Sequence, residues 1–267
     1  MNTYFNDKVI WITGASSGIG EALVIELAAK TNARIILSSR REQQLEDIAQ
    51  KAGLDAERYA VIPMDLADYK EMPAIAVKAV AAFGSIDILI NNAGLSQRSL
   101  AMDTDIEVDK HLMDVDFIGT VALTKAVVPY MIKNNGGQIV VVSSLMGLFG
   151  APMRSGYAAA KHALHGFFEA LRAELYKDKI RVSIVCPGFI QTNISLNAVT
   201  GSGKPQNIMD DATAKGVPVH VFAKKMLQAV AKGKYQTIIG GKEKLGVYVK
   251  RFFPSLMVKI VRKAKVV

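Results

Sequence analysis

The run Val9–Thr13 passes without a spacer into Gly14-Ala15-Ser16-Ser17-Gly18-Ile19-Gly20, and a helical pattern, Glu21–Ala29, follows at once. This junction narrows the choice of fold more than any other stretch. Glycines between a strand and a helix permit a tight turn and let the backbone approach a pyrophosphate. The open amides of the helix N-terminus then meet its charge. Glycine clusters also make ordinary turns. Here the strand before and the helix behind supply the context that a phosphate-binding loop requires.

The same alternation continues along the chain. Strand candidates are Val9–Ile12, Arg34–Leu37, Tyr59–Ile62, Ile86–Ile90, Gln138–Val142, Val182–Val185 and Gln236–Ile239. Most are almost continuously apolar, as expected of strands covered on both faces. Helical patterns lie between them, among them Gln43–Ala52, Met72–Phe83, Ile106–Ile132 and Ala158–Tyr176. Strand–helix alternation predicts βαβ units, right-handed crossovers and a parallel sheet. The expectation is therefore an α/β fold, one doubly wound domain over residues 1–241 with a seven-stranded parallel sheet and helices on both faces. One stretch within it, 193–217, is irregular and rich in Gly, Ser, Asn, Thr and Asp. A loop of that length inside a compact domain is usually functional, and we expect it to cover a substrate. Residues 242–267 form a C-terminal extension.

Half of the 267 residues are hydrophobic and 21% are charged, so a core is available and global disorder is excluded. Cys186 is the one cysteine, which excludes an intrachain disulfide framework and a multi-cysteine metal site. His111, His162, His165 and His220 show no metal-ligand spacing, and no metal is predicted. A net charge of +9 invites a nucleic-acid reading, but its distribution opposes it. Eight lysines and arginines against one glutamate lie in residues 241–267, leaving residues 1–240 at only +2. Met1 to Lys8 shows no basic segment followed by an apolar one. We expect a cytoplasmic protein, with peripheral membrane contact through the tail as a further expectation. In that tail Leu245, Tyr248, Val249, Phe252, Phe253, Leu256, Met257, Ile260 and Val261 recur at helical spacing, among Lys250, Arg251, Lys259, Arg262, Lys263 and Lys265. Such a helix either rests on an anionic membrane surface or packs its apolar face on the domain or across a dimer. Pro254 starts or kinks its second part.

Tyr157 and Lys161 are four residues apart in a helical pattern, which places them on one face. A free phenol, with a pKa of about 10, is a poor acid–base group at neutral pH. An ammonium beside it favours the phenolate. The pair then suits proton donation to a carbonyl or proton removal from an alcohol. Ser143-Ser144 ends an apolar strand, where a parallel sheet forms its ligand crevice. A hydroxyl there either holds a substrate oxygen or caps the turn. After the second strand comes Ser38-Ser39-Arg40-Arg41, without the acid that would bind a ribose diol. Arg40 and Arg41 either pair with a 2′-phosphate or solvate the start of a helix.

Thr13-Gly14-x3-Gly18-x-Gly20, Asn91-Asn92-Ala93-Gly94, Ser144, Tyr157-x3-Lys161 and Pro187-Gly188-x3-Thr192 stand in an order that resembles the short-chain dehydrogenases/reductases. Five motifs in register, with thirteen residues from Ser144 to Tyr157, cover about residues 8–192. The resemblance implies a Rossmann-like fold and an oxidoreductase. It implies Tyr157 as general acid–base, Lys161 on the nicotinamide ribose and favouring the phenolate, and Ser144 on the substrate oxygen. For the cofactor it implies Gly14, Ser16, Ser17, Gly18, Ile19 and Gly20 at the phosphates, Asp65 and Leu66 at the adenine, and Asn92, Ala93 and Gly94 along its length. Pro187, Gly188, Ile190 and Thr192 would meet the nicotinamide end. Ser39 and Arg40, with Arg41 beside them, resemble members that prefer NADP. One position departs from the pattern. Many members carry Asn-x-x-Gly where this chain reads Asp116-Phe117-Ile118-Gly119. An ionised carboxylate accepts hydrogen bonds but does not donate them as an amide does. Asp116 is retained as a candidate catalytic residue, though the family's proton relay is not carried over with it.

The expected reaction is NADP-dependent interconversion of a carbonyl and a secondary alcohol. Leu145, Met146, Leu148, Phe149 and Met153 follow Ser144 and suggest a small-molecule substrate that is lipid-like or steroid-like, although such residues are as often plain core. Two other readings stand beside it. A non-catalytic NADP-binding sensor predicts damage to the Ser, Tyr and Lys set. A carrier-protein-dependent 3-oxoacyl reductase predicts basic residues on the domain for an acidic partner, whereas the excess lies in the tail. The resemblance also implies a homodimer or homotetramer, through helices around 106–132 and 156–176.

Overall fold

In a computed structural model, which describes residues 2–264, the apolar runs align as seven strands of one sheet. They are β1 Val9–Thr13, β2 Arg34–Ser38, β3 Tyr59–Val61, β4 Ile88–Asn91, β5 Gly137–Val142, β6 Ile180–Pro187 and β7 Gln236–Ile239. Their order is β3-β2-β1-β4-β5-β6-β7, and all six neighbouring pairs are parallel. Ile12 lies opposite Leu37 on one side and Ile90 on the other. The fourth strand begins at Ile88 rather than Ile86, and just before it the Asp87 carboxylate accepts the Val9 amide at 2.7 Å.

The pleat divides the core. Ile10 and Ile12 face a cluster with the helices Gly18–Lys30, Glu42–Lys51 and Val219–Ala231. Val9 and Trp11 face the opposite one, with Met72–Phe83 and Ser155–Glu174. Alternate residues are buried on opposite faces, so the runs read as continuously apolar. Each such side chain contributes about 1.5–3 kcal/mol. Trp11 keeps its polar atom satisfied by donating to Ser38 Oγ at 2.8 Å.

The pattern read as Ile106–Ile132 is a helical stretch from Ile106 to Lys133, apolar and long enough by composition to cross a membrane. It serves as a core helix, with Leu112, Leu123, Val127 and Met131 fully buried. Its middle, Asp114–Gly119, is a π-helical turn. Gly119 touches the chain there, since an added Cβ would lie 2.1 Å from the Leu66 carbonyl oxygen. Turns of this kind concentrate at functional sites, and Asp116 lies within it.

The tail forms a 3₁₀ turn, Lys242–Lys244, and two helices, Leu245–Phe252 and Pro254–Lys263. Pro254 starts the second, where its missing amide hydrogen is not needed. Met257 is buried against Leu145 and Phe149, while Tyr248, Phe252 and Phe253 are exposed. The tail is thus docked on the domain on one side and apolar toward solvent on the other. Lys265 lies outside the described residues. The segment 193–217 is mostly turns, with one short helix, Asp211–Ala214, and isolated pairs such as Gln97 with Val199 and Ile190 with Val217.

Burial pushes the Cys186 thiol up to about 12. The reactive form is the thiolate, so iodoacetamide at about pH 8 is expected to leave the native chain unmodified and to alkylate it once guanidinium unfolds it. Mass spectrometry reads both states, and native labelling at the rate of a free thiol would contradict the burial.

Candidate active site

The carboxyl ends of β1, β4, β5 and β6 open on one cavity of about 930 Å³. It lies where the strand order reverses between β1 and β4, the usual ligand crevice of an open α/β sheet. Every site position named from the sequence lines it except Gly20 and Asp116. Those two stand just behind the wall.

Gly14 and Gly18 have φ of +65° and +60°, a region that favours glycine. A Cβ on Gly14 would come within 2.8 Å of Ala93 Cα, and one on Gly20 within 2.1 Å of the Gly14 oxygen. The loop is therefore closed down on β4 and on its own helix. Asn92 holds it there. Its side chain donates to the Thr13 carbonyl at 2.9 Å, and the Asn92 and Ala93 amides donate to Thr13 Oγ1 at 2.9 and 3.0 Å. Ser17, at the helix N-cap, contributes no side-chain cap. The first-turn amides are thus left for an anion, and the cradle fits a dinucleotide pyrophosphate. Beyond β2, Arg41 Nη2 donates to Ser16 Oγ at 3.1 Å, and Arg40 Nη1 stands 3.9 Å from Asp65 Oδ2. The Arg40 side chain is 62% exposed, so that contact is screened by solvent and weak.

At the other end, Tyr157 and Lys161 project from the first turns of Ser155–Glu174, both buried. Lys161 Nζ lies 5.7 Å from the Tyr157 ring centroid, donates to the Val142 carbonyl at 3.3 Å and stands 3.7 Å from Asp116 Oδ2. Asp116 accepts the Leu95 amide at 2.7 Å. Burial raises its carboxyl above the usual range, and the Lys161 ammonium opposes that shift. Space here is short, since a Cβ on Gly94 would lie 2.9 Å from Asp116 Oδ1 and 3.0 Å from Lys161 Nζ.

The geometry separates the two serines. Ser143 Oγ donates to the Lys161 carbonyl at 3.2 Å and meets His165 Nε2 at 3.1 Å, which ties β5 to the helix. Ser144 Oγ accepts the Met146 amide at 3.1 Å, so it caps its turn and keeps its own proton for a ligand.

Other residues of this wall carry no sequence signal. Arg98 donates from Nε to Asp210 Oδ2 at 2.9 Å and also from Nη2, and Arg154 Nη2 reaches the same oxygen at 3.2 Å. Burial, then the neighbouring Arg98 charge, lower Arg154 to about 10. These partners lie 112 and 56 residues apart, beyond any motif. Gln97 Oε1 accepts the Tyr157 amide at 3.2 Å and fixes the helix start. Glu243, the single acid of the tail, accepts the Phe189 amide at 3.0 Å and the Gly241 amide at 2.8 Å.

Known proteins resemble this chain in sequence and in fold. Residues 8–202 match the family model described as short chain dehydrogenase. The chain is 39% identical over 264 residues to a Drosophila melanogaster protein, dehydrogenase/reductase SDR family protein 7-like, covering 97% of this chain and 81% of that one. Two solved structures share the fold. A short-chain dehydrogenase/reductase from Burkholderia phymatum in complex with NAD has a TM-score of 0.83 at 22% identity, over 95% of this chain and 96% of that one. A short chain dehydrogenase from Burkholderia cenocepacia in complex with NADP has a TM-score of 0.81 at 23% identity, over 99% and 100%.

Proposed function

This chain belongs to the short-chain dehydrogenase/reductase family of oxidoreductases, and on that premise we propose that it interconverts a carbonyl and a secondary alcohol with NADP, acting on an apolar, lipid-like or steroid-like substrate. The observation that carries the reading is that Tyr157, Lys161 and Ser144 line the same cavity as the glycine cradle. A nicotinamide dinucleotide supplies the hydride when bound.

The chain's own residues do the rest. Ser144 donates a hydrogen bond to the substrate oxygen and orients it. Tyr157 gives its proton to that oxygen in reduction and takes it back in oxidation. Lys161, buried beside the ring, stabilises the phenolate left behind. Asp116 positions the site, because one carboxylate holds both the Leu95 amide and the Lys161 ammonium.

Folds of this kind have been solved with either dinucleotide, so the choice of NADP rests on Ser39, Arg40 and Arg41. Both arginines line the cavity beside the glycine loop, guanidinium groups suit a 2′-phosphate, and no acid stands at position 39 to repel it. The Arg40→Ala variant is expected to lose about 1.5–3 kcal/mol of NADP affinity and little NAD affinity, since one charged hydrogen bond goes. Titration calorimetry with both cofactors measures it, and equal affinities in the wild type would overturn the NADP assignment.

For the substrate, the support is a large cavity walled by Leu145, Met146 and Phe149, with Val249, Met257 and Val261 added by the tail. That cavity also takes the dinucleotide, so its apolar lining rather than its volume supports the reading. NADPH consumption with ketones of increasing chain length tests the reading. Rising kcat/KM with length is expected, and no turnover of any ketone or alcohol refutes it. Assembly as a homodimer or homotetramer belongs to the same proposal.

A further inference from the structure

One pair of helices both roofs the substrate cavity and carries exposed aromatic surface. On the inner side, Leu245, Gly246, Val249, Met257, Ile260 and Val261 line the cavity. A small cluster, Met257 with the partly buried Val247, Val249 and Val261 against Leu145 and Phe149, and two polar ties hold this roof. Glu243 ties its start to the Phe189 amide, Lys250 Nζ donates to the Leu148 carbonyl at 2.6 Å, and Met257 is the one described tail residue that is buried. On the outer side Tyr248, Phe252, Phe253 and Leu256 are 56%, 67%, 62% and 48% exposed. Leu245 and Ile260 belong to both surfaces, for they line the cavity and are 57% and 46% exposed. The apolar lining therefore runs out over the rim onto the exposed face.

Charge identifies what covers that face. Lys244, Lys250, Arg251, Lys259, Arg262 and Lys263 are all exposed beside it. The single tail acid, Glu243, is turned to backbone amides. A second copy would bring these like charges together, whereas an anionic bilayer neutralises them and takes up aromatic side chains at headgroup depth.

Resting on the apolar-substrate reading above, we propose that the tail helices dock on an anionic lipid surface, setting the cavity mouth against the bilayer so that the ketone enters from the lipid. The roof, held by one small apolar cluster and two polar ties, is the element that moves aside.

The full chain is sedimented with vesicles of phosphatidylcholine alone or with phosphatidylserine added, at low salt and at about 0.5 M salt. Pelleting with the anionic vesicles at low salt is expected, with at least about ten-fold less at high salt or on neutral vesicles. The double variant Phe252→Ser, Phe253→Ser is expected to lose binding about ten-fold, as is Lys259→Glu, Lys263→Glu. None of these residues lines the cavity. Turnover of a short, water-soluble ketone should therefore be unchanged, while turnover of a long-chain ketone carried in anionic vesicles falls with binding. Absence of pelleting, or equal pelleting on neutral vesicles, overturns the docking surface. Equal loss or equal retention of both ketone activities overturns the entry route. Should Phe252→Ser, Phe253→Ser split a dimer on size exclusion without changing pelleting, the face belongs to a second copy and the proposal fails. If the wild type turns over no ketone at all, the entry route falls with the oxidoreductase reading, and sedimentation still decides the docking surface by itself.

Discussion

Tyr157→Phe is expected to lower kcat by roughly 10²–10⁴-fold, the range usual for loss of a general acid–base group, while cofactor affinity stays within about two-fold. Little else changes in this substitution. The ring stays packed, the Lys161 ammonium still lies 5.7 Å from its centroid, and the Tyr157 amide is still held by Gln97. Only the hydroxyl that exchanges a proton with the substrate is removed. Ser144 and Asp116 keep their partners, since neither hydrogen-bonds to that hydroxyl. Steady-state rates with several ketones, set beside calorimetric titration of the cofactor, separate the two quantities. A variant that kept more than about a tenth of the wild-type kcat would remove Tyr157 from the acid–base role. A parallel collapse of cofactor binding would show instead that the substitution had disturbed the site.

Asp210→Asn is expected to destabilise the fold by about 3–5 kcal/mol, the range for a buried ion pair that loses one partner. The Asp210 side chain is fully buried and serves two buried guanidiniums at once, those of Arg98 and Arg154. Asn cannot neutralise them, and each then repels the other across a poorly solvated wall. Gln206 Nε2, which donates to Asp210 Oδ1 at 3.2 Å, and Ser195, whose hydroxyl accepts the Asp210 amide at 3.3 Å, tie the same residue to the irregular segment. Loss of the carboxylate should loosen that segment as well. For a domain of this size the midpoint of thermal unfolding should fall by roughly 10 °C. Circular dichroism measures it, and a midpoint within about 2 °C of the wild type would mean that the pair of arginines does not depend on this charge. The contrast with Tyr157→Phe is useful. One substitution removes chemistry and spares the fold, and the other strains the fold behind the chemistry.

These two residues differ in how visible they are in the sequence. Tyr157 is legible because its partner lies one helical turn away, and Ser144 because its thirteen-residue separation from Tyr157 resembles the family's. The glycine loop is legible because strand, turn and helix are contiguous, and an unhindered backbone there permits few alternatives. Strand positions emerged from apolar runs because a parallel strand is covered on both faces. The tail's helical period was legible too, but its partner was not. Periodicity marks an apolar face without saying what lies against it.

What the sequence determined by itself is whatever neighbours along the chain decide: the βαβ order, the phosphate loop, the Tyr157–Lys161 face and the basic character of the tail. Tertiary structure alone decided the rest. It gave Ser143 to His165 and left Ser144 facing the cavity, set Asp116 against Lys161 from a π-helical turn, and gathered Arg98 and Arg154 around the Asp210 carboxylate. It also laid the tail over the cavity rather than away from it. The physical reason is range. Local sterics and hydrogen bonding write a period into adjacent residues, whereas a contact across 56 or 112 residues exists only once the sheet has brought its ends together.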